Sequence, residues 1–199
     1  MSNAVTLYHA EPSRSSMTRL LLEELGAPYE IERLDLKAGD QLKPDYLAIN
    51  PMGKVPAIRH DGAIVTETAA IFLYLADAFA KAGLAPPVGD PQRGPYLRWI
   101  VFYAACFEPA VVEKARKIAP GPRAMSPYAD FDTVWSAVLT MLKPGPYVLG
   151  ERFSAADVLW GAALSWMTSF GLCPPAPEVE AYLARHAARP AVRRLAQAG

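Results

Sequence analysis

Cysteine is nearly absent from this chain. Cys106 and Cys173 have no close-spaced partner, which excludes a disulfide scaffold and a cysteine-rich metal module and leaves two buried thiols as the expectation. An excess of charge of either sign is missing as well. Twenty basic residues balance twenty acidic ones, so no global field holds nucleic acid or an anionic membrane surface, and partners must be recognised locally. Long apolar runs are also lacking. The most apolar stretch, residues 158–173, is short for a membrane span and is interrupted by Ser165, Thr168 and Ser169, so it reads as a buried core helix. The opening MSNAVTLYHAEP has no basic segment followed by an apolar one. The expectation is a cytoplasmic protein with no membrane and no nucleic-acid partner and no metal. Internal repeats and low-complexity tracts are absent.

The chain does have enough apolar residue to build a core. At 199 residues and 52% hydrophobic it lies at the boundary between one domain and two. Val5 to Tyr8 reads as a short buried strand, and Ser15 or Ser16 can cap a helix through Met17, Leu20, Leu21 and Leu25 that stops at Gly26. A second strand follows over Tyr29 to Leu34, parallel to the first because a helix crosses between them. Residues 40–50 can form an irregular helix. Val55 to Arg59 then reads as a strand whose Pro56 removes a ladder donor, and Asp61-Gly62 turns it into an antiparallel partner over Ala63, Ile64 and Val65. A helix from about Glu67 to Phe79, with Thr66 as its cap, closes a βαβ, helix, ββα order: a mixed four-stranded sheet with helices on its faces.

Composition changes at residues 81–91, where Pro86, Pro87, Pro91, Gly83 and Gly89 mark a linker between a domain at 1–80 and one at 92–199. Beyond it only helical patterns occur, over about 92–118 with a kink at Pro109, then 127–142, 154–169, 177–187 and 190–197. Ser154 and Asp157 form a capping box, with Phe153 placed to staple onto Val158.

GKVPAI before a DG hairpin, TET at the next helix start, NPMGKVPAI as a whole and GERFSAADV, in that order, resemble the cytosolic glutathione transferase family over essentially the full chain. The resemblance implies a thioredoxin-like α/β N-terminal domain and an all-α C-terminal domain. It also implies a detoxifying transferase with glutathione as co-substrate, assembled as a homodimer. Glu67 and Thr68, at a helix N-terminus, are then expected to take the γ-glutamyl ammonium and carboxylate. A cis Val55–Pro56 bond is expected to turn the Val55 backbone to the cysteinyl part, with Lys54, Lys37 and Gln41 near the rest of the peptide.

A thiol is activated as its thiolate, which one hydroxyl donor at a helix start can stabilise. Tyr8, Ser13, Ser15 and Ser16 are all available. The family's Ser-x-x-x-Arg spacing to Arg19 selects Ser15, with Tyr8 and Ser16 as alternatives. His9 is expected at the rim, with no local histidine and acid arranged to deprotonate Ser15. After the linker, Tyr103 and Phe107, with Trp166, are implied as the lining of an electrophile pocket, although an aromatic stripe at helical spacing is also what a core needs. Arg14-Ser15-Ser16 also resembles the loop of glutathione-dependent isomerases of the maleylacetoacetate type. A non-catalytic glutathione-binding protein is the remaining alternative.

Overall fold

A computed structural model describes residues 4–198, which divide into two compact units whose boundary in the chain falls between Gly83 and Leu84. Within the first, β1 (Val5–His9), β2 (Tyr29–Arg33), β3 (Ala57–His60) and β4 (Ala63–Thr66) form one sheet in the order β2-β1-β3-β4. β1 runs parallel to β2 with Val5 opposite Tyr29, and antiparallel to β3 with Tyr8 opposite Ala57. β3 and β4 pair antiparallel through Asp61 and Gly62, both at positive φ (48° and 81°), the two-residue turn that matches strand twist. Helices α1 (Ser15–Leu25), α2 (Pro44–Leu47) and α3 (Thr68–Ala78) complete a thioredoxin-like unit.

Side chains alternate along β1, so Val5, Leu7 and His9 share the buried face and Tyr8 does not. Met17, Leu20, Leu21 and Leu25 bury the matching stripe of α1. Gly26 closes that helix at φ 62°, a conformation that costs glycine least. Two boundaries differ from the sequence reading. β3 begins at Ala57, after the donor-less Pro56, and Thr66 ends β4, so that Glu67 becomes the N-cap of α3.

The second unit is helical: α4 (Arg93–Phe102), α5 (Glu108–Ala115), α6 (Phe131–Leu142), α7 (Ala155–Ser169), α8 (Pro177–Ala187) and α9 (Pro190–Ala198). The interruption expected at Pro109 falls just before it, as a widened π turn over Tyr103–Phe107 that ends where proline cannot continue the i to i−4 ladder. α6 starts at Phe131 and not near 127, because the Asp130 carboxylate accepts from the Thr133 N–H at 2.7 Å and caps it there. Residues 84–86 of the proline-rich segment are tied to this unit. Leu84 O accepts from Ala155 N–H at 2.8 Å, Pro86 O from Arg93 at 2.9 Å and Ala85 O from Arg152 at 3.4 Å.

The capping box of α7 is present. Phe153 packs edge-on to Tyr147 at 5.4 Å and beneath the Arg189 guanidinium. No described helix is long and apolar enough to cross a membrane.

Candidate functional site

Three segments end at one edge of the sheet. β1 runs out at His9 into the loop that starts α1, β3 starts there after Pro56, and β4 ends there before Glu67. Continuing the antiparallel register beyond Tyr8 and Ala57 sets Val55 beside Ala10, and continuing it beyond Ala57 and Thr66 sets Glu67 beside Pro56. The topology thus gathers the serine loop, the Val55 backbone and the start of α3, which lie far apart in sequence.

Ser15 is the first residue of α1, as its spacing predicts, but it is 0% exposed. Its Oγ accepts from the Ala10 N–H at 3.1 Å and lies 3.1 Å from the Ala10 carbonyl, 2.6 Å from His9 Nδ1 and 2.6 Å from Ser13 Oγ. One proton and two lone pairs are fully engaged by four such neighbours. The hydroxyl expected to donate to a ligand thiol is thus engaged by its own loop and strand, and it faces inward. The outer hydroxyl of the chain is that of half-buried Ser13, which also accepts from the Ser15 N–H at 3.1 Å. Ser16, half-buried at the second position of α1, lies one residue further in.

His9 is likewise not a rim residue. It is 0% exposed, and its Nε2 lies 2.8 Å from Glu11 Oε1, which Arg19 also approaches at 3.2 Å. A local histidine and acid are thus arranged on Ser15 after all. The hydrogen bond to His9 holds the Glu11 carboxyl below its usual range against a smaller desolvation effect, with the charges of His9, Arg19 and Arg33 assisting. Sequence reasoning missed the pair, yet a signal was available: His9 lies in period-two register with Val5 and Leu7 on the buried face.

The Val55–Pro56 bond is cis, as the resemblance implied. Glu67 is exposed and sits at φ 68°, ψ 120°, an unusual backbone for a residue other than glycine, at the N-terminus of the 11-residue α3. Thr68 is buried at the first helical position. The exposed Lys54 lends its carbonyl to Tyr46 OH at 2.6 Å and to Asn50 Nδ2 at 2.8 Å, which fixes the approach to Val55. Lys37 is exposed on the loop after β2. Gln41 donates to Leu36 O at 3.3 Å, and its Oε1 is buried without a partner. Tyr8 points to the other face of the sheet from His9, edge-on to Tyr46 at 5.7 Å, in a groove of about 350 Å³ lined also by Arg33, Asp40 and Lys43. That separates it from the serine chain.

In the helical unit, Tyr103 and Phe107 are 0% exposed and pack on Trp160 at ring distances of 6.0 and 5.0 Å. Both rings sit in the core of the helical unit. Trp166 lies about a third of a turn further round α7 and is half-buried against Phe170, so the three rings share no common lining. A cavity of about 390 Å³ between the end of α5 and the start of α6, beside Lys114 and Tyr128, contains none of the residues singled out from sequence. Cys106 and Cys173 are free thiols pushed up by burial, Cys173 to about 11. Among the described residues no group of three or more His, Cys, Asp or Glu is placed to hold a metal ion.

Residues 3–77 match the model of the glutathione S-transferase N-terminal domain. The chain is 28% identical to the glutathione S-transferase GstA of Escherichia coli O157:H7 over 94% of each chain, and 30% identical to the glutathione S-transferase hmp2 of Hypomyces subiculosus over 84% of each. Among solved structures, a sphingomonad glutathione S-transferase complexed with glutathione is 31% identical, covers 97% of this chain and 98% of its own, and superposes with a TM-score of 0.78. The chain belongs to the glutathione transferase family.

Proposed function

We propose that the protein is a glutathione transferase that binds glutathione on the first unit and adds its thiolate to a hydrophobic electrophile. The observation that carries this reading is the strained backbone of Glu67 at the edge where the serine loop and the cis Val55–Pro56 segment also end. A carboxylate on an N-cap is placed to take an ammonium while the free amides of α3, with Thr68, take the neighbouring carboxylate. Those two charges lie together on a γ-glutamyl group. The Val55 backbone supplies an extended pairing edge for the next residue of the peptide, and Lys37, Gln41 and Lys54 stand along its further path. Ser13, the outer hydroxyl of the loop, is the donor to sulfur.

Strain kept for a ligand has a measurable signature. Glu67→Gly is expected to stabilise the fold by about 1 kcal/mol, since glycine adopts φ near 68° without penalty. The same change is expected to weaken glutathione binding at least tenfold, because a charged hydrogen bond of about 1.5–3 kcal/mol is lost. Calorimetric titration beside urea unfolding reads both, and a variant that binds as the parent does removes Glu67 from the site. A steady-state screen with aryl halide, epoxide, isothiocyanate and maleyl substrates then separates conjugation from cis–trans isomerisation. Binding with no turnover on any of them makes the protein a glutathione-binding module.

The same reading makes the chain a cytoplasmic homodimer, since family members bury an apolar interface between chains. Sedimentation at micromolar concentration is expected to show the dimer, and a lone 21.6 kDa species excludes it.

A further inference from the structure

We propose that His9 is the proton acceptor at the inner end of a buried relay, Ser13–Ser15–His9–Glu11, which carries the thiol proton of bound glutathione away from sulfur. The proposal rests on the assignment of glutathione to this edge of the sheet, and it names a residue for a step that a hydroxyl alone cannot complete. A serine can stabilise a thiolate by donation, but it cannot keep the proton the thiol gives up. Something basic within reach has to.

The polarity of the chain follows from donor and acceptor rules. Glu11 is a carboxylate and can only accept, so His9 Nε2, 2.8 Å away, carries a proton. In neutral imidazole the other nitrogen, Nδ1, is then an acceptor, and we assign the single Ser15 proton to it at 2.6 Å in preference to the Ala10 carbonyl, the longer competing acceptor at 3.1 Å. Ser15 Oγ in turn accepts from the Ala10 N–H at 3.1 Å and from Ser13 Oγ at 2.6 Å. Every side-chain donation therefore runs inward while His9 is neutral, and Ser13 Oγ, which also accepts from the Ser15 N–H at 3.1 Å, keeps one lone pair for a ligand.

Proton transfer reverses the chain. The thiol proton passes to Ser13 Oγ, the Ser13 proton to Ser15 Oγ and the Ser15 proton to His9 Nδ1. Two hydroxyls are left neutral, sulfur holds the electron pair of the broken S–H bond, and the imidazolium carries the proton. Ser13 O–H now points at the thiolate, so acceptance of the proton and stabilisation of the anion are one event. The imidazolium is hydrogen-bonded to a carboxylate that is 46% exposed, which gives the proton a path to solvent. The charged groups around His9 are Glu11 from the loop, Arg19 of α1 that shares its Oε1, and Arg33 opposite His9 in β2. The hydrogen bond from His9 chiefly, with the charges of His9, Arg19 and Arg33 assisting, holds the Glu11 carboxyl down and favours its ionised form.

The test has one arm that needs no ligand. Nitrogen-15 spectra of the imidazole in the free protein are expected to show the proton on Nε2 of neutral His9; a proton on Nδ1 with bare Nε2 overturns the relay whatever the protein binds. The second arm is the ultraviolet thiolate titration of bound glutathione, with the pH profile of kcat/KM, in His9→Asn and Glu11→Gln. Asparagine keeps a hydrogen bond to Ser15 but takes no proton, and it is expected to raise the thiol titration by about one unit, tenfold in thiolate at neutral pH. Glutathione affinity is expected to change less than about threefold. Glu11→Gln, at an exposed position where glutamine keeps a hydrogen-bond acceptor for His9, is expected to shift the titration the same way by a smaller amount. Parent-like titration in Glu11→Gln, or in folded His9→Asn, overturns the proposal. Loss of glutathione binding in the parent protein instead overturns the site assignment, and the nitrogen spectra still decide the polarity of the chain.

Discussion

Ser13→Ala is expected to lower the thiolate fraction of bound glutathione at neutral pH about ten- to a hundredfold, with turnover falling in proportion. The range corresponds to a loss of one to two units of thiol acidification, at about 1.4 kcal/mol per unit. Ser13 is the hydroxyl at the outer end of the serine chain, whereas the Oγ of Ser15 is already engaged by Ala10, His9 and Ser13. The two serines should therefore fail differently. Ser13→Ala removes the donor and the two hydrogen bonds that Ser13 Oγ makes to Ser15, at a cost to the fold of about 1 kcal/mol. Ser15→Ala strands the Ala10 N–H and His9 in the interior, at a cost of about 1–3 kcal/mol, and also cuts the path to His9. Thiolate titration and urea unfolding of both variants, with Tyr8→Phe as a control on the other face of the sheet, give the comparison. If Tyr8→Phe raises the thiol titration and Ser13→Ala does not, the donor lies in the Tyr8 groove.

The difference between Ser13 and Ser15 shows where sequence reading stops. The start of α1 could be placed from its apolar spacing and from Gly26, and the strands from their alternation and the Asp61-Gly62 turn. These are local properties, set by which face of each element is apolar. The hydroxyl that points outward is set by the path of the loop from Ala10 to Ser15, which spacing does not encode; counting back from Arg19 finds the helix start and says nothing of its facing. His9 was legible in principle, because period two joins it to Val5 and Leu7, but a histidine at a strand end reads more readily as polar rim. In the helical unit the aromatic stripe of Tyr103 and Phe107 turned out to be core, the more common fate of such a stripe. The convergence of the serine loop, the Val55 segment and the start of α3 follows from the order β2-β1-β3-β4 and from register, so it became visible only with the sheet in place.

The largest effect on stability is expected at Asp157, far in sequence from any ligand residue. Its carboxylate is 2% exposed and accepts from Val148 N–H at 2.7 Å, Ser154 N–H at 2.9 Å, Ser154 Oγ at 3.0 Å and Tyr182 OH at 3.1 Å. It therefore caps α7, pins the segment before it and anchors α8 through Tyr182. Asp157→Ala strands these donors in the core and is expected to cost about 3–5 kcal/mol, a large part of the stability of a domain this size. Desolvation outweighs the four hydrogen bonds and pushes the carboxyl up from 3.8 to about 6. A raised carboxyl binds its proton more tightly in the folded state. The stability it contributes is thus fully present below about pH 4 and is lost as pH rises through 6, a change of about 3 kcal/mol. Glu11, Asp40 and Asp130 are shifted the opposite way and gain with rising pH, so the parent curve alone does not isolate the effect. The difference between parent and Asp157→Asn does, because those groups cancel. Urea unfolding of the pair at one protein concentration is expected to show the parent's advantage shrinking from pH 4 to pH 6.5; a flat difference, or an Asp157→Ala cost below about 1 kcal/mol, makes the carboxylate a replaceable cap and not the tie between α7, α8 and the Val148 segment.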